Sequence, residues 1–252
     1  MTKLRLDQVI TNNPNIIPSP TSIPQVQALI LAGKVLVNGK KVTQAGTLVN
    51  PDAKIEIKPD PRQGYVGRGA FKLLKAVTEF KLDFTDKIVV DVGASTGGFT
   101  QVALGQGARK VYALDVGTNQ LAYKLRVDPR VVVMEQTNVK DVSELPEKVD
   151  YVLIDVSFIS LRQVLPVVKN YLKTTASIIV LFKPQFEADK TTAEKFKGVI
   201  KDEQTRQEIL TSFKVWCAQN NFTIFQETPS PIQGDKGNVE YLLLIKPQIL
   251  SD

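Results

Sequence analysis

The 252-residue chain contains no histidine and one cysteine, Cys217. Without histidine, the commonest metal ligand and the usual general base near neutral pH are both missing. Proton chemistry therefore falls to Lys, Asp, Glu or Tyr, and no metal site is expected. A lone cysteine excludes an internal disulfide. No apolar stretch approaches the roughly 20 residues that a bilayer span needs, and the N-terminal MTKLRLDQVI lacks a signal-peptide core, so a cytoplasmic protein with no membrane partner is expected. Internal repeats and low-complexity tracts are absent too. What remains is ordinary globular composition, 43% hydrophobic and 23% charged, which excludes disordered and collagen-like classes.

Charge is unevenly placed. Up to Val66 the chain carries eight basic residues (Lys3, Arg5, Lys34, Lys40, Lys41, Lys54, Lys58, Arg62) against four acidic ones. That bias suits a polyanionic partner. In the same region TNNPNIIPSPTSIP reads as a loop, because its four prolines cannot occupy a helix interior. Val26, Leu29 and Ile30 then recur at helical spacing, Gly33 suits a helix end, and KVLVNGKKV reads as a hairpin turning at Asn38-Gly39. A strand in AKIEIKP closes a small α+β domain over 1–60, and 61–67 reads as a linker.

From residue 68 to 252 short apolar runs alternate with helical segments. Strands are expected at 87–92, 110–116, 130–136, 150–156, 177–183, 222–228 and 240–246, with helices at 69–80, 97–107, 160–173 and 202–219. This alternation predicts an α/β, Rossmann-like domain, a mainly parallel sheet covered by helices on both faces.

In such a sheet the ligand sits at the carboxyl ends of the strands. The run VVDVGASTGGFT places Asp91 and the loop Gly93, Ala94, Ser95, Thr96, Gly97, Gly98 and Phe99 there. Ser95 stands where a dinucleotide motif would need its second glycine, and no Gly-Lys-Ser/Thr follows as a phosphate loop would require. Asp115, 22 residues beyond Gly93, is placed to accept hydrogen bonds from a ribose diol. A nucleoside without pyrophosphate fits these features. S-adenosylmethionine is the candidate, its methionine moiety over the glycines, its ribose at Asp115 and its adenine near Thr137 and Asn138, with Asp155 also among the cofactor-binding residues.

Asp155 and Lys183 each follow an apolar strand and should emerge on that same edge. A helix over 69–80 packed antiparallel to the first strand returns Lys72 to it, and an antiparallel last strand starts there with Glu240. Four ionisable residues from four elements thus converge. A neutral lysine among them would accept a proton from a hydroxyl, while a charged one would orient it. Desolvation and the second ammonium favour the neutral form, the carboxylates the charged one.

These residues lie in segments that resemble one family. GYVGRGAFKL, DVGASTGGFT, YALDVGTNQLAYKLR, LIDVSFISL, LFKPQFEA and PSPIQGDKGNVEYLL are similar to the TlyA family, proteins often called haemolysins and related to FtsJ-type ribose methyltransferases. The resemblance implies S-adenosylmethionine-dependent methyl transfer to a ribose 2′-hydroxyl of ribosomal RNA, at cytidines, with Lys72, Asp155, Lys183 and Glu240 as the catalytic tetrad. LRLDQVI and ALILAGKVLVNGKKV resemble the small ribosomal-protein S-four type of RNA-binding domain.

The expected partner is accordingly ribosomal RNA or a ribosomal subunit, gripped at phosphates by Lys3, Arg5, Lys34, Lys40, Lys41, Arg62 and Arg68, with a monomer sufficing. Tyr65, Phe158 and Phe186 are candidate surfaces for stacking an extruded base. Two alternatives stand beside this reading. A membrane-lytic protein would draw on the amphipathic segment 202–219, and a catalytically inactive RNA-binding protein would keep the fold alone.

Overall fold

The computed structural model describes residues 3–17, 22–58, 64–196 and 198–248. Arg62 and residues 61–63 of the expected linker lie outside the described residues. The chain divides into two compact units, Met1–Gly64 and Tyr65–Asp252.

The small unit contains β1 (Leu4–Arg5), α1 (Leu6–Thr11), α2 (Ile23–Leu31), β2 (Val35–Val37), β3 (Lys40–Val42), β4 (Leu48–Val49) and β5 (Ile55–Ile57). Strands β3, β2 and β5 form an antiparallel sheet, and β1 pairs with β4. Asn38 and Gly39 turn the β2–β3 hairpin at φ 49° and 77°, the left-handed conformations that a two-residue turn needs. Ile23 and Pro24, expected in the loop, instead open α2. A proline in the first turn sacrifices no helical hydrogen bond, and Ser22 with Gln25 forms a capping box there. Leu6, Ile10, Val26, Ile30, Val35 and Val49 make the core.

One carboxylate is buried beside that core. Asp7 accepts from Arg5 Nε (3.1 Å) and Nη2 (2.7 Å), from Gln27 Nε2 (2.9 Å) and from the Gln8 amide (3.0 Å).

The large unit comprises α3 (Ala70–Phe80), β6 (Ile88–Val92), α4 (Gly98–Gly105), β7 (Lys110–Leu114), α5 (Tyr123–Arg126), β8 (Val131–Met134), β9 (Val149–Ile154), α6 (Leu161–Val168), β10 (Leu172–Phe182), α7 (Pro184–Glu187), α8 (Lys190–Phe196), α9 (Glu203–Gln219), β11 (Phe222–Pro229) and β12 (Tyr241–Pro247). Its seven-stranded sheet has the order β8-β7-β6-β9-β10-β12-β11. The five strands from β8 to β10 are parallel, and β12 runs antiparallel to both neighbours. This is the Rossmann-like sheet expected from the alternation of apolar runs and helices.

Strand residues divide by parity between two cores. Val90, Val92, Val152, Ile154, Ile178 and Val180 pack with α6 and α9, whereas Val89, Leu153, Ile179 and Leu181 pack with α3 and α4. Such near-continuous apolar strands are what two covered faces require. The apolar side of α9, Ile209, Leu210, Phe213 and Cys217, is part of this core. Among the described residues no helix is long and apolar enough to cross a membrane.

One expected boundary is corrected. The helix read over 160–173 stops at Val168, a 3-10 turn follows over Lys169–Tyr171, and Leu172 already pairs with Val149 on β9. The buried Tyr171 hydroxyl donates to the Val142 carbonyl (2.7 Å), which pins the chain there. The β-branched Thr174 and Thr175 then favour an extended backbone.

The Arg5 guanidinium, the largest influence, and the Gln27 amide hold the Asp7 carboxyl down at about 2, against an ordinary 3.8. A depressed carboxylate contributes stability that is present above its unfolded value and lost as pH falls through the folded one. Hydrogen exchange in the full chain should therefore show protection of the small-unit core decreasing between pH 4 and about 2. Asp7→Asn should remove that pH dependence and lower protection at neutral pH.

Candidate active site

Register decides what meets at the strand ends. Val92 pairs with Leu114 and with Ile154, and Ile154 with Val180, so Gly93, Asp115 and Asp155 each lie one step past a shared edge. Phe182 pairs with Tyr241, which sets Lys183 and Glu240 beside each other across β10 and β12.

The loop after β6 is shaped by close approach. Gly93 has φ 85°, and a Cβ there would come within 2.6 Å of the Asp155 carbonyl oxygen. A Cβ on Gly98 would lie 2.8 Å from the Ala70 amide nitrogen, so this glycine lets the start of α4 sit against the start of α3. That contact seats Lys72, two residues into α3, over the strand ends.

Lys183, Asp155, Lys72 and Glu240 form a row of alternating charge. Lys183 Nζ lies 2.7 Å from Asp155 Oδ1, Lys72 Nζ 3.5 Å from Asp155 Oδ2, and Lys72 Nζ 2.9 Å from Glu240 Oε2. Of the three, only Lys72 to Asp155 is also a hydrogen bond, while the Lys183–Asp155 and Lys72–Glu240 contacts are ion pairs. Lys72, Lys183 and Glu240 are buried, and Asp155 is half-buried. Lys183 also donates to Ser157 Oγ at 2.9 Å. Ser157 was not among the expected site residues. Its position two places after Asp155 was the only cue.

Two cavities meet here. One, of about 460 Å³, is lined by the whole row together with Arg68, Ala94, Thr96, Gly98, Phe99 and Phe186. The other, of about 610 Å³, is lined by Asp115, Gly117, Gln120, Thr137 and Asn138. Gly93, Ser95, Asp155, Ser157 and Phe158 border both. Each volume is ordinary for a small-molecule site.

In the larger cavity Asp115 accepts from the Ser95 amide through Oδ2 and from the Gly117 amide through Oδ1, both at 2.7 Å. Each oxygen keeps a lone pair for a diol. Glu135, also outside the expected set, fixes the neighbouring loop by accepting from the amides of Asn119, Gln120 and Leu121 and from Arg126. The Arg126 guanidinium, with these amides, holds its carboxyl down at about 2.

Two expected ligand contacts line neither cavity. Gly97, at φ 94°, packs against Leu121 and Leu125. Asp91 is wholly buried and accepts from the Thr100 amide (2.9 Å) and hydroxyl (2.7 Å), while its Oδ1 has no partner. Both residues shape the loop.

At the mouth of the site Phe158 is 91% exposed at φ 63°, a conformation that strains a bulky residue. Its ring centroid is 5.0 Å from that of Phe186. Tyr65 instead packs edge-on against Phe71 (5.8 Å).

In the small unit Lys3, Lys40 and Lys41 are exposed and Lys34 is half-buried. Arg5 is held by Asp7. No group of residues suited to hold a metal ion occurs among the described residues.

The fold and the paired cavities define a doubly wound α/β domain with a nucleoside-sized cavity opening onto a buried row of charge. Residues 65–246 match the FtsJ-like methyltransferase family and residues 21–55 the S4 domain. The chain belongs to the FtsJ-like methyltransferase family. It is 39% identical to the 16S/23S rRNA (cytidine-2′-O)-methyltransferase TlyA of Mycobacterium tuberculosis, over 89% of this chain and 84% of that one. It is 43% identical to hemolysin A of Brachyspira hyodysenteriae, over 86% and 91%. A solved structure from Streptococcus thermophilus superposes with a TM-score of 0.73 at 35% identity, covering 98% of this chain and 89% of that one.

Burial raises the Asp91 carboxyl to about 7 from an ordinary 3.8, against the opposing Thr100 hydrogen bonds. A raised carboxyl contributes stability that is full below its unfolded value and lost as pH rises through the folded one. Denaturant unfolding should therefore show a loss of stability between pH 4 and about 7 that disappears in Asp91→Asn.

Proposed function

We propose that this protein transfers a methyl group from S-adenosylmethionine to the 2′-hydroxyl of a cytidine in ribosomal RNA. The observation that carries the reading is the border between the two cavities, where Asp155 and Ser157 hold Lys183 beside the charged row.

The donor set suits the cofactor. Asp115 offers acceptors to a ribose diol, Thr137 and Asn138 lie where an adenine edge would rest, and Gly93 gives the close backbone approach that a Cβ would block. When bound, S-adenosylmethionine supplies an electrophilic methyl group on a positively charged sulfur. The protein's own residues orient the acceptor. Lys183 Nζ is ion-paired to Asp155 and donates to Ser157 Oγ, which leaves one of its positions turned to the acceptor. That position is an N–H if the lysine is charged and a lone pair if it is neutral, and either form directs the 2′-hydroxyl. The bound cofactor would supply its methyl carbon to the hydroxyl oxygen and be left as a neutral thioether. The hydroxyl proton leaves to a neutral Lys183 or to solvent. Lys72 and Glu240 complete the row of alternating charge around Asp155.

Phe158 and Phe186 provide a platform for a base turned out of its stack. Exposed Lys3, Lys40 and Lys41 and half-buried Lys34 of the small unit, and Arg68 at the smaller cavity of the large unit, are the phosphate contacts. The relatives' printed names supply the ribosomal and cytidine parts of this proposal. The hemolysin name of another relative finds less support, because the amphipathic α9 buries its apolar side in the core.

Lys183→Ala should lower methyl transfer by about 10²–10⁴-fold while leaving cofactor affinity nearly unchanged. Asp115→Ala should weaken S-adenosylmethionine binding by about 1–3 kcal/mol. Calorimetry measures the binding, and mapping 2′-O-methyl positions in ribosomal RNA from cells with and without the protein identifies the product. Full transfer by the lysine variant would refute the assignment.

A further inference from the structure

The loops after β9 and β10 carry two of the four residues of the charged row, Asp155 and Lys183, and the contacts joining them at the cavity are ones an entering hydroxyl must share. Lys183 is ion-paired to Asp155 and donates to Ser157. Something else has to keep the two loops in register while that front contact is in use.

A second polar rung does this from behind. Glu187, four residues past Lys183, is 7% exposed and lines neither cavity. Its Oε1 accepts from the Leu161 amide at the start of α6. Its Oε2 accepts from Ser160 Oγ (2.7 Å) and Arg162 Nη1 (3.0 Å). Arg162 also donates to the Glu187 carbonyl (3.1 Å) and to Ser212 on α9 (3.3 Å). The carboxylate thus ties the end of the Asp155–Ser160 loop to the Lys183–Glu187 segment and, through Arg162, to the helix scaffold. A buried ion pair adds little net stability over an apolar filling, so its chief consequence here is geometric.

We propose that Glu187 is a positioning residue that sets the Lys183–Asp155 contact by locking the β9 and β10 loops together. This rests on the methyltransferase reading of the site, but its test has a readout that needs no activity.

The test compares the full chain with Glu187→Gln and Glu187→Ala. Reductive methylation by formaldehyde and borohydride, followed peptide by peptide, reports how freely each lysine amine is exposed. Lys72, which sits on α3 and has its closer partner in Glu240 (2.9 Å) rather than Asp155 (3.5 Å), is the internal control. The expected result is several-fold faster modification of Lys183 in Glu187→Ala, a smaller increase in Glu187→Gln, and no change at Lys72. In RNA methylation kcat should fall by about 10²-fold with KM for RNA little changed. Unaltered Lys183 modification in a folded variant overturns the proposal, as does a parallel rise at Lys72, which would mark general loosening. If Glu187→Ala fails to fold, Glu187→Gln, which keeps an acceptor for the Leu161 amide, decides alone. Lack of methylation by the wild-type chain would refute the enzymatic reading and leave the lysine result standing.

Discussion

Two lysine amines and two carboxyl groups occupy one end of the large sheet with little access to water, and each is held there by a neighbour of the other kind. Removing one member of such a set leaves an uncompensated buried charge, at a cost of about 3–5 kcal/mol. The row from Lys183 through Asp155 and Lys72 to Glu240 is drawn from the ends of β10 and β9, from α3 and from the residue before β12. It exists only because β12 enters the sheet antiparallel, between β10 and β11. A parallel last strand would have carried Glu240 to the opposite edge and left Lys72 without its closer partner.

The glycine loop serves the same convergence. Its glycines admit backbone from other elements, Gly93 to the Asp155 carbonyl and Gly98 to the start of α3. The loop is therefore both a wall of the two cavities and the joint that brings Lys72 over the strand ends. Binding surface and charged row share a cause, the flush carboxyl edge of five parallel strands. The buried and partly unpaired Asp91 sits beneath that joint, tied to α4 through Thr100.

Much of this was legible in the chain. Apolar runs of strand length located the seven strands; the polar residues after two of them named Asp155 and Lys183, and the packing direction of a helix and of the last strand added Lys72 and Glu240. Ser95 in place of a second glycine turned the cofactor reading from a dinucleotide toward a plain nucleoside. Asn38-Gly39 marked a hairpin from its chemistry alone. The expected helix over 160–173 overran because periodicity persists past Val168, whereas Tyr171 and the pairing of Leu172 with Val149 end it. Ser157, Glu135 and Glu187 stayed hidden because a polar residue in a loop gives no sign of which distant amide or ammonium it will meet. Likewise nothing in the spacing of Arg5 and Asp7 reveals that the arginine is held by a buried carboxylate.

The sequence by itself determined the class of fold, the edge at which the cavities open and the identity of the charged residues there, because these follow from local periodicity, from the packing direction of helices and strands and from the rule that loops gather at strand ends. The tertiary structure alone decided the order of the charges, the meeting of two cavities at Asp155 and Ser157, and the clamp between Glu187 and α6. Those depend on register between strands remote in the chain and on which buried groups must satisfy one another once water is excluded.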